Sequence, residues 1–424
     1  VDVTGTADTS EARELRRDVA AWLAAHWDEQ LAPADWRERV VDAGWAAPSW
    51  PVPYGRGLNR ALSSVVAEEF ARRGAPHGGL DSVLSHQPIE LHIAGNTIVL
   101  FGQDSLQRRY LRPILLGERR GCLLYSEPGA GSDLAALQTR AERDGDEWVV
   151  NGQKVWTTAG HLADFGVLIA RTDWDQPKHR GISYFVLPMG QPGVEVRPIR
   201  QMTGESFFNE VFITDARIPA DHLLGELNDG WRVLQSALAF ERLVMGSAGS
   251  GGPDSRPLPV GATIDLIALA RRTGRNGDPV LRQDLARLYA LRQVIGWNAT
   301  RAKTAAERGT SSPAASLGKL AMSRVLHDSA ALAGRLLGPE GTLYGPTRPD
   351  ALAANASSML AFMNSIGGGS DQIQRNILAE RLLGLPKDVA ADRDVPFRQV
   401  LKAPARREFG RSESAPAGSP SRDG

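Results

Sequence analysis

Two stretches of this chain carry residue types suited to chemistry. The first is LYSEPGAGSD, Leu124 to Asp133, a strand end that runs into a Gly-rich turn. Gly129 and Gly131 free the backbone there to present N–H groups, and such concave runs of donors bind electron-rich atoms. Ser126 and Ser132 add hydroxyls to the same turn. The second is GWRVLQSALAFERLVMG, Gly230 to Gly246, in which Trp231, Leu234, Leu238 and Met245 repeat at spacings of 3, 4 and 7 and form one helical stripe. Glu241 falls in the gap of that stripe. A carboxylate on an apolar helix face is costly unless it is paired or used. Apolar surroundings also favour its protonated form, which suits a base at neutral pH. The competing use is a structural ion pair with Arg242 or another cation. A third feature is Gly367-Gly368-Gly369 before a helix start, an arrangement that suits an anion.

The elements that must position these residues fall into three blocks. The first, residues 1–120, reads as helical, with Leu15, Val19, Trp22 and Leu23 at helical spacing and a Pro/Gly-rich loop over residues 47–59. From Gly121 the texture is β. WVVNG (residues 148–152) predicts a strand and an Asn-Gly hairpin turn, and short β-prone runs follow at Phe165–Ala170, Ile182–Leu187, Val194–Val196 and Glu210–Ile213. Residues 121–228 are thus expected to form a β-sandwich or barrel. Helical text returns at 229, where Asn228 or Asp229 suits a cap, and runs with interruptions to Gly384 and Pro386, a helix-stop pair. Residues 229–404 predict a helical bundle, and 405–424 a disordered Ser/Pro/Gly/Arg tail. The fold class is therefore multidomain α+β.

Composition narrows the classes of function. Lys+Arg and Asp+Glu both number 49 in 424 residues, which argues against nucleic acid or an anionic membrane as the main partner. One cysteine, Cys122, excludes a disulfide framework and a cysteine-cluster metal site. His86, His92 and His161 match no metal-pair spacing. No apolar run reaches the ~18 residues needed to span a bilayer, and no secretory signal is visible. A soluble, cytoplasmic protein is expected.

EPGAGSD matches, letter for letter, the first flavin-loop motif of the acyl-CoA dehydrogenase family, which this chain resembles. NGQKVWTTAG (Asn151 to Gly160) resembles the second motif, FNEVFITDARIPADHLLGELNDGW (Phe208 to Trp231) the exit from the β domain, and DQIQRNILAERLLGLP (Asp371 to Pro386) the C-terminal helix. The blocks keep family order over about residues 90–390. The resemblance implies an N-terminal all-α domain, a central β domain and a C-terminal four-helix bundle, with FAD held between the last two.

The resemblance also implies roles. Ser126 matches the hydroxyl at the flavin pyrimidine edge, Thr158 the donor facing flavin N5, and Trp156 the indole packed on the isoalloxazine. Tyr125 and Gly131 belong to the same cofactor loop, and Ser132 would also face the CoA side of the acyl site. Arg272 aligns with an arginine that reaches the pyrophosphate of a neighbouring subunit, although Arg275 replaces the usual phenylalanine. Gly338 and Gly341 resemble a Gly-rich turn near the cofactor, and Ser370 and Gln372 resemble contacts to its adenosine end. Arg242 and Gly368 would border the substrate.

The family removes an acidic α-proton from an acyl thioester with a carboxylate. Many members place that glutamate in the turn before the last helix, where this chain has Gly368. Glu241 matches the alternative base position, on the helix after the β domain. Fifteen residues rich in Gly, Pro and Ser, Ser247 to Gly261, interrupt the text after that helix. This break and the missing side chain at Gly368 imply room for a bulky or branched acyl group, as in members acting on sterol side chains or secondary-metabolite intermediates. The substrate is expected to be an acyl thioester of CoA or of a carrier protein. The electron acceptor is expected to be an electron-transfer flavoprotein, and the assembly a homo- or hetero-oligomer, dimeric or tetrameric. The alternatives are a partner subunit of a hetero-oligomeric dehydrogenase and a flavin monooxygenase on the same fold.

Overall fold

The computed structural model describes residues 9–81, 91–247, 264–307, 314–387 and 392–400. The expected tail and most of the Gly/Pro/Ser-rich segment after Ser247 lie outside these residues, as does the side chain of Arg242.

The first block is helical. α1 (Ser10–His26) starts at Thr9, whose hydroxyl accepts from the Ala12 N–H at 3.1 Å, and buries Ala12, Leu15, Val19 and Leu23 at helical spacing. α2 (Pro33–Asp42), α3 (Ser63–Arg72), α4 (Asn96–Phe101) and α5 (Asp104–Leu116) complete it. Trp22, Trp27, Trp36 and Phe70 pack in one aromatic cluster. α5 ends at Gly117 in the left-handed conformation, and the chain turns directly into the sheet.

The central block is one curled seven-stranded sheet. Its strands are β1 (Gly121–Leu124), β2 (Arg140–Asp144), β3 (Glu147–Thr158), β4 (Phe165–Arg171), β5 (Ile182–Pro188), β6 (Val194–Ile199) and β7 (Phe208–Pro219). The order is β1-β4-β2-β3-β7-β6, and β5 pairs with β4. β4 is buried along its whole length. It is covered on both faces, by the N-terminal helices on one side and by Trp148, Phe185 and Ile218 on the other, which is why its sequence is continuously apolar rather than alternating.

One sequence expectation is corrected here. Asn151-Gly152 is not a hairpin turn, because β3 runs straight through it. The β2–β3 hairpin turns instead at Gly145, which has φ +58°. The Asn-Gly pair sits at a register shift between Val150 and Gly152. Asn151 exchanges hydrogen bonds with Asp215 across the sheet, at 2.9 and 3.0 Å. A Cβ on Gly152 would lie 2.3 Å from the Thr139 hydroxyl, so glycine is required by close approach.

The last block is a bundle of α6 (Gly230–Ser247), α7 (Leu266–Arg272), α8 (Pro279–Glu307), α9 (Ala314–Leu337), α10 (Pro349–Ile366) and α11 (Asp371–Arg381). Leu269, Leu288, Ile295, Leu332 and Leu336 form its core. α6 packs against β5 on one side and α9 on the other, so the helix that carries Glu241 forms the seam between sheet and bundle. A final helical turn, Phe397–Val400, returns to the sheet. Among the described residues no helix is long and apolar enough to cross a membrane.

Candidate active site

The two motif loops meet at the end of β1 and are bolted together by a buried ion pair. Lys154 Nζ lies 2.9 Å from the Glu127 carboxylate, with side-chain exposures of 0% and 8%. The same ammonium donates to the Tyr125 carbonyl at 3.1 Å. Glu127 also accepts from the backbone N–H groups of Gln138 and Thr139, at 2.7 and 2.9 Å. Burial pushes the Glu127 carboxyl up, but Lys154 and the hydrogen bonds outweigh it and hold its pKa below the usual range. For Lys154 burial wins, and its pKa is lowered. The letters E and K of SEPGAGSD and NGQKVWTT were legible as motif residues, yet nothing in their composition marked them as partners.

Beyond this pair, Ser126 accepts from the Val155 N–H through its carbonyl at 2.9 Å, and Glu127 and Ala130 exchange two 3.0 Å backbone bonds that close a tight turn. The glycines of this turn need a different reading from the one composition suggested. A Cβ on Gly129 or Gly131 would meet nothing within 4 Å, and neither has positive φ. The polypeptide alone does not demand glycine there, and the space in front of both is open.

A bulge between Lys154 and Thr157 puts Trp156 at φ +62° and turns its indole outward, 59% exposed. Phe208 props it edge-on at 6.0 Å. Thr158 ends β3 opposite Phe208. The hydroxyls of Ser126 and Thr158 are partly exposed and have no protein partner among the described residues. Tyr125, Ser126, Gly131, Ser132, Trp156 and Thr158 thus share one loop cluster with a flat aromatic face and spare hydrogen-bonding groups.

Behind this cluster the Tyr125 and Tyr184 hydroxyls are in direct hydrogen-bonded contact, and both residues are buried. Burial is the main reason both phenols stay protonated far above the ordinary range, and the negative charge of Glu241 adds to it. Glu241, half-buried on α6, lies within electrostatic reach of the tyrosine pair. From the bundle side it is felt by Lys319 of α9, whose pKa burial lowers and whose charged form Asp371 and Glu241 support. Lys319 is 1% exposed, and its Nζ lies 3.3 Å from Asp371. This cation was not singled out by the sequence, because a lysine in SLGKLAMS reads as an ordinary helix residue.

Gly368, at φ +65°, shapes the turn between α10 and α11, and its carbonyl accepts from Gln374 at 3.1 Å. Ser370 caps α11 by accepting from the Ile373 N–H at 3.3 Å, and Gln372 is exposed on its first turn. Arg272, Gly338 and Gly341 form a separate group held by contacts within the bundle. The Arg272 guanidinium grips Asp350 at 2.7 and 3.2 Å. Gly338, at φ +60°, lies against Arg275, and the Gly341 carbonyl accepts from Asn355 at 3.0 Å. Among the described residues no cluster of His, Cys, Asp and Glu could hold a metal ion.

A helical domain, a curled sheet whose loops offer an aromatic face, and a bundle whose first helix carries a carboxylate along the seam with that sheet make up a three-domain scaffold. Residues 8–118, 122–216 and 228–383 match the N-terminal, middle and C-terminal domains of acyl-CoA dehydrogenase, respectively. The acyl-CoA dehydrogenase IpdE1 of Mycobacterium tuberculosis is 38% identical over 400 residues, which cover 89% of this chain and 99% of that protein. The chain belongs to the acyl-CoA dehydrogenase family. Among solved structures, the steroid acyl-CoA dehydrogenase Tcur3481-Tcur3483 superposes with a TM-score of 0.68 at 28% identity, covering 92% of this chain and 100% of that one. The ChsE4-ChsE5 complex from Mycobacterium tuberculosis gives a TM-score of 0.66 at 27% identity, covering 91% and 100%.

Proposed function

We propose that this chain α,β-dehydrogenates the CoA thioester of a bulky or branched acyl group, with Glu241 as the base that takes the α-proton. The observation that carries this reading is the placement of Glu241 on α6, at the seam of sheet and bundle and within electrostatic reach of Tyr125, Tyr184 and Lys319, while Gly368 leaves the turn before α11 without a carboxylate. FAD, when bound, supplies the hydride acceptor for the β-hydrogen. Its fit is supported by the outward Trp156 indole, by the Ser126 and Thr158 hydroxyls, which have no partner among the described residues, and by the open space before Gly129 and Gly131.

The protein's own contribution follows from these positions. Lys319 places a positive charge within electrostatic reach of Glu241, on the bundle side of the base. The buried tyrosines and Leu234 and Ala237 of α6 line the protein side of the base with little water. The Glu127–Lys154 bolt fixes the loops that carry Ser126, Ser132, Trp156 and Thr158 in one register. Ser132 faces the thioester-carrier side, and Arg272, Gly338, Gly341, Ser370 and Gln372 serve the distal end of the cofactor, with Arg272 released from Asp350 to do so. An electron-transfer flavoprotein is the partner that carries the electrons away.

The bulky substrate class is supported by Gly368 and by the relatives, one of which is named a steroid acyl-CoA dehydrogenase. The test is an anaerobic screen for flavin bleaching. Steroid-side-chain and branched acyl-CoAs are expected to bleach at least tenfold faster than butyryl-CoA. Butyryl-CoA as the best substrate would refute the class. The relative named as a complex of two chains favours assembly with a second, related chain. Size exclusion with flavin stoichiometry on the chain expressed alone tests this, and a full flavin per chain in a stable homo-oligomer would contradict it.

A further inference from the structure

Residues 392–400 lie beyond position 383, where the match to the family's C-terminal domain ends. They nevertheless return to the sheet and meet two other segments there. One is the β4–β5 connection, residues 172–181, and the other is the turn that follows the first motif. The Phe397 ring is 1% exposed and lies 3.7 Å from the Arg171 guanidinium carbon. Trp174 packs beside it with ring centroids 5.6 Å apart. The backbone N–H groups of Phe397 and Arg398 donate to the carbonyls of Gln176 and Trp174, both at 3.0 Å. Arg398 also pairs with Asp175.

The cations under this segment each hold the motif loop with their other side. Lys178 Nζ stands between Asp392, at 2.9 Å, and Asp133, at 3.0 Å. Asp133 is the residue after Ser132. Arg171 donates to the carbonyls of Ala135 and Leu137, at 2.7 and 3.3 Å, and to that of Lys178 at 3.2 Å. Arg171 is buried, and desolvation lowers its pKa to about 10. A cation so desolvated gains more from an aromatic face than an exposed one does. The same connection also touches the helix of the base, because His179 packs edge-on against Trp231 of α6 with centroids 4.8 Å apart.

We propose that residues 392–400 form a strap that positions the Ser132 loop for the carrier end of the thioester, with Phe397 and Asp392 as positioning residues acting through Arg171 and Lys178. This rests on the reading that the Ser132 loop faces the carrier. The strap pulls on residues 133–137 from outside, so its loss leaves the base and the aromatic face in place and loosens the carrier side.

The experiment uses the full-length flavin-loaded protein and the acyl-CoA that bleaches the parent fastest. Phe397→Ala is expected to raise KM about tenfold, to leave kcat and flavin content within about twofold, and to hasten tryptic cleavage after the exposed Arg180. Phe397→Tyr restores all three values. Asp392→Asn, at a partly exposed pair, raises KM about threefold and carries the test if Phe397→Ala does not fold. Faster cleavage with an unmoved KM would show a packing role alone and overturn the proposal, as would unchanged cleavage with unchanged KM. No turnover by the parent with any acyl-CoA would overturn the functional reading as well. Normal parental turnover with unmoved KM in the variants overturns the strap alone.

Discussion

Replacing Glu127 by glutamine leaves the Lys154 ammonium fully buried without its anion, with the Tyr125 carbonyl at 3.1 Å and at most the neutral amide oxygen as acceptors. The amide cannot accept at both former carboxylate oxygens, so one of the Gln138 and Thr139 N–H groups loses its partner too. Removing one member of a buried pair costs about 3–5 kcal/mol, and the upper half of that range is expected for Glu127→Gln. Lys154→Met should cost less, about 2–3 kcal/mol, because Glu127 keeps both backbone donors. The pH dependences run in opposite directions. The folded-state pKa of Glu127 is depressed by Lys154, so the stability contributed by the pair is present at neutral pH and lost as pH falls through that lowered value. The deficit of Lys154→Met is therefore full at pH 7 and shrinks on acidification, as the unpaired carboxyl protonates. Lys154 already has a lowered pKa, so the deficit of Glu127→Gln is full at neutral pH and shrinks as pH rises toward the lysine range. Thermal unfolding of both single variants and the double variant across pH gives the cycle, with a coupling of about 1–3 kcal/mol. Flavin content should fall in both singles, because the pair registers the two motif loops. Single variants within about 0.5 kcal/mol of the parent, and additive in the double, would refute the reasoning.

Gly368→Ala forces a Cβ onto a backbone at φ +65°, which costs about 1–2 kcal/mol, and it should raise KM for bulky acyl-CoAs more than for short ones. A uniform change across chain length in steady-state assays would contradict the role given to that glycine. Trp156→Ala removes an indole that is 59% exposed, so stability should stay within about 0.5 kcal/mol while flavin affinity falls up to roughly tenfold. Fluorescence of released flavin measures this, and undiminished affinity would remove Trp156 from the site.

The block order, the strands β4 to β7 and the motif loops were legible in the sequence because apolar periodicity and turn residues report local physics directly. The Asn-Gly pair misled for the same reason. Its turn chemistry is real, but Thr139 and Asp215, far away in sequence, use those residues for close approach and cross-sheet bonding. Glu241 was legible as an anomaly, a charge in an apolar stripe. Its surroundings were not, since Tyr125 was legible only as a residue of the cofactor loop, while Tyr184 and Lys319 come from another strand and a distant helix and look ordinary in their own segments. The Phe397 contact with Arg171 was invisible for the same reason.

The account stands on the base. The most direct measurement is anaerobic stopped-flow mixing of the flavin-loaded Glu241→Gln variant with the acyl-CoA that best bleaches the parent. The account predicts that substrate still binds, seen as a shift of the flavin spectrum, and that bleaching slows about 10²- to 10⁴-fold. Bleaching at the parental rate would contradict it and would place the proton acceptor elsewhere in the chain.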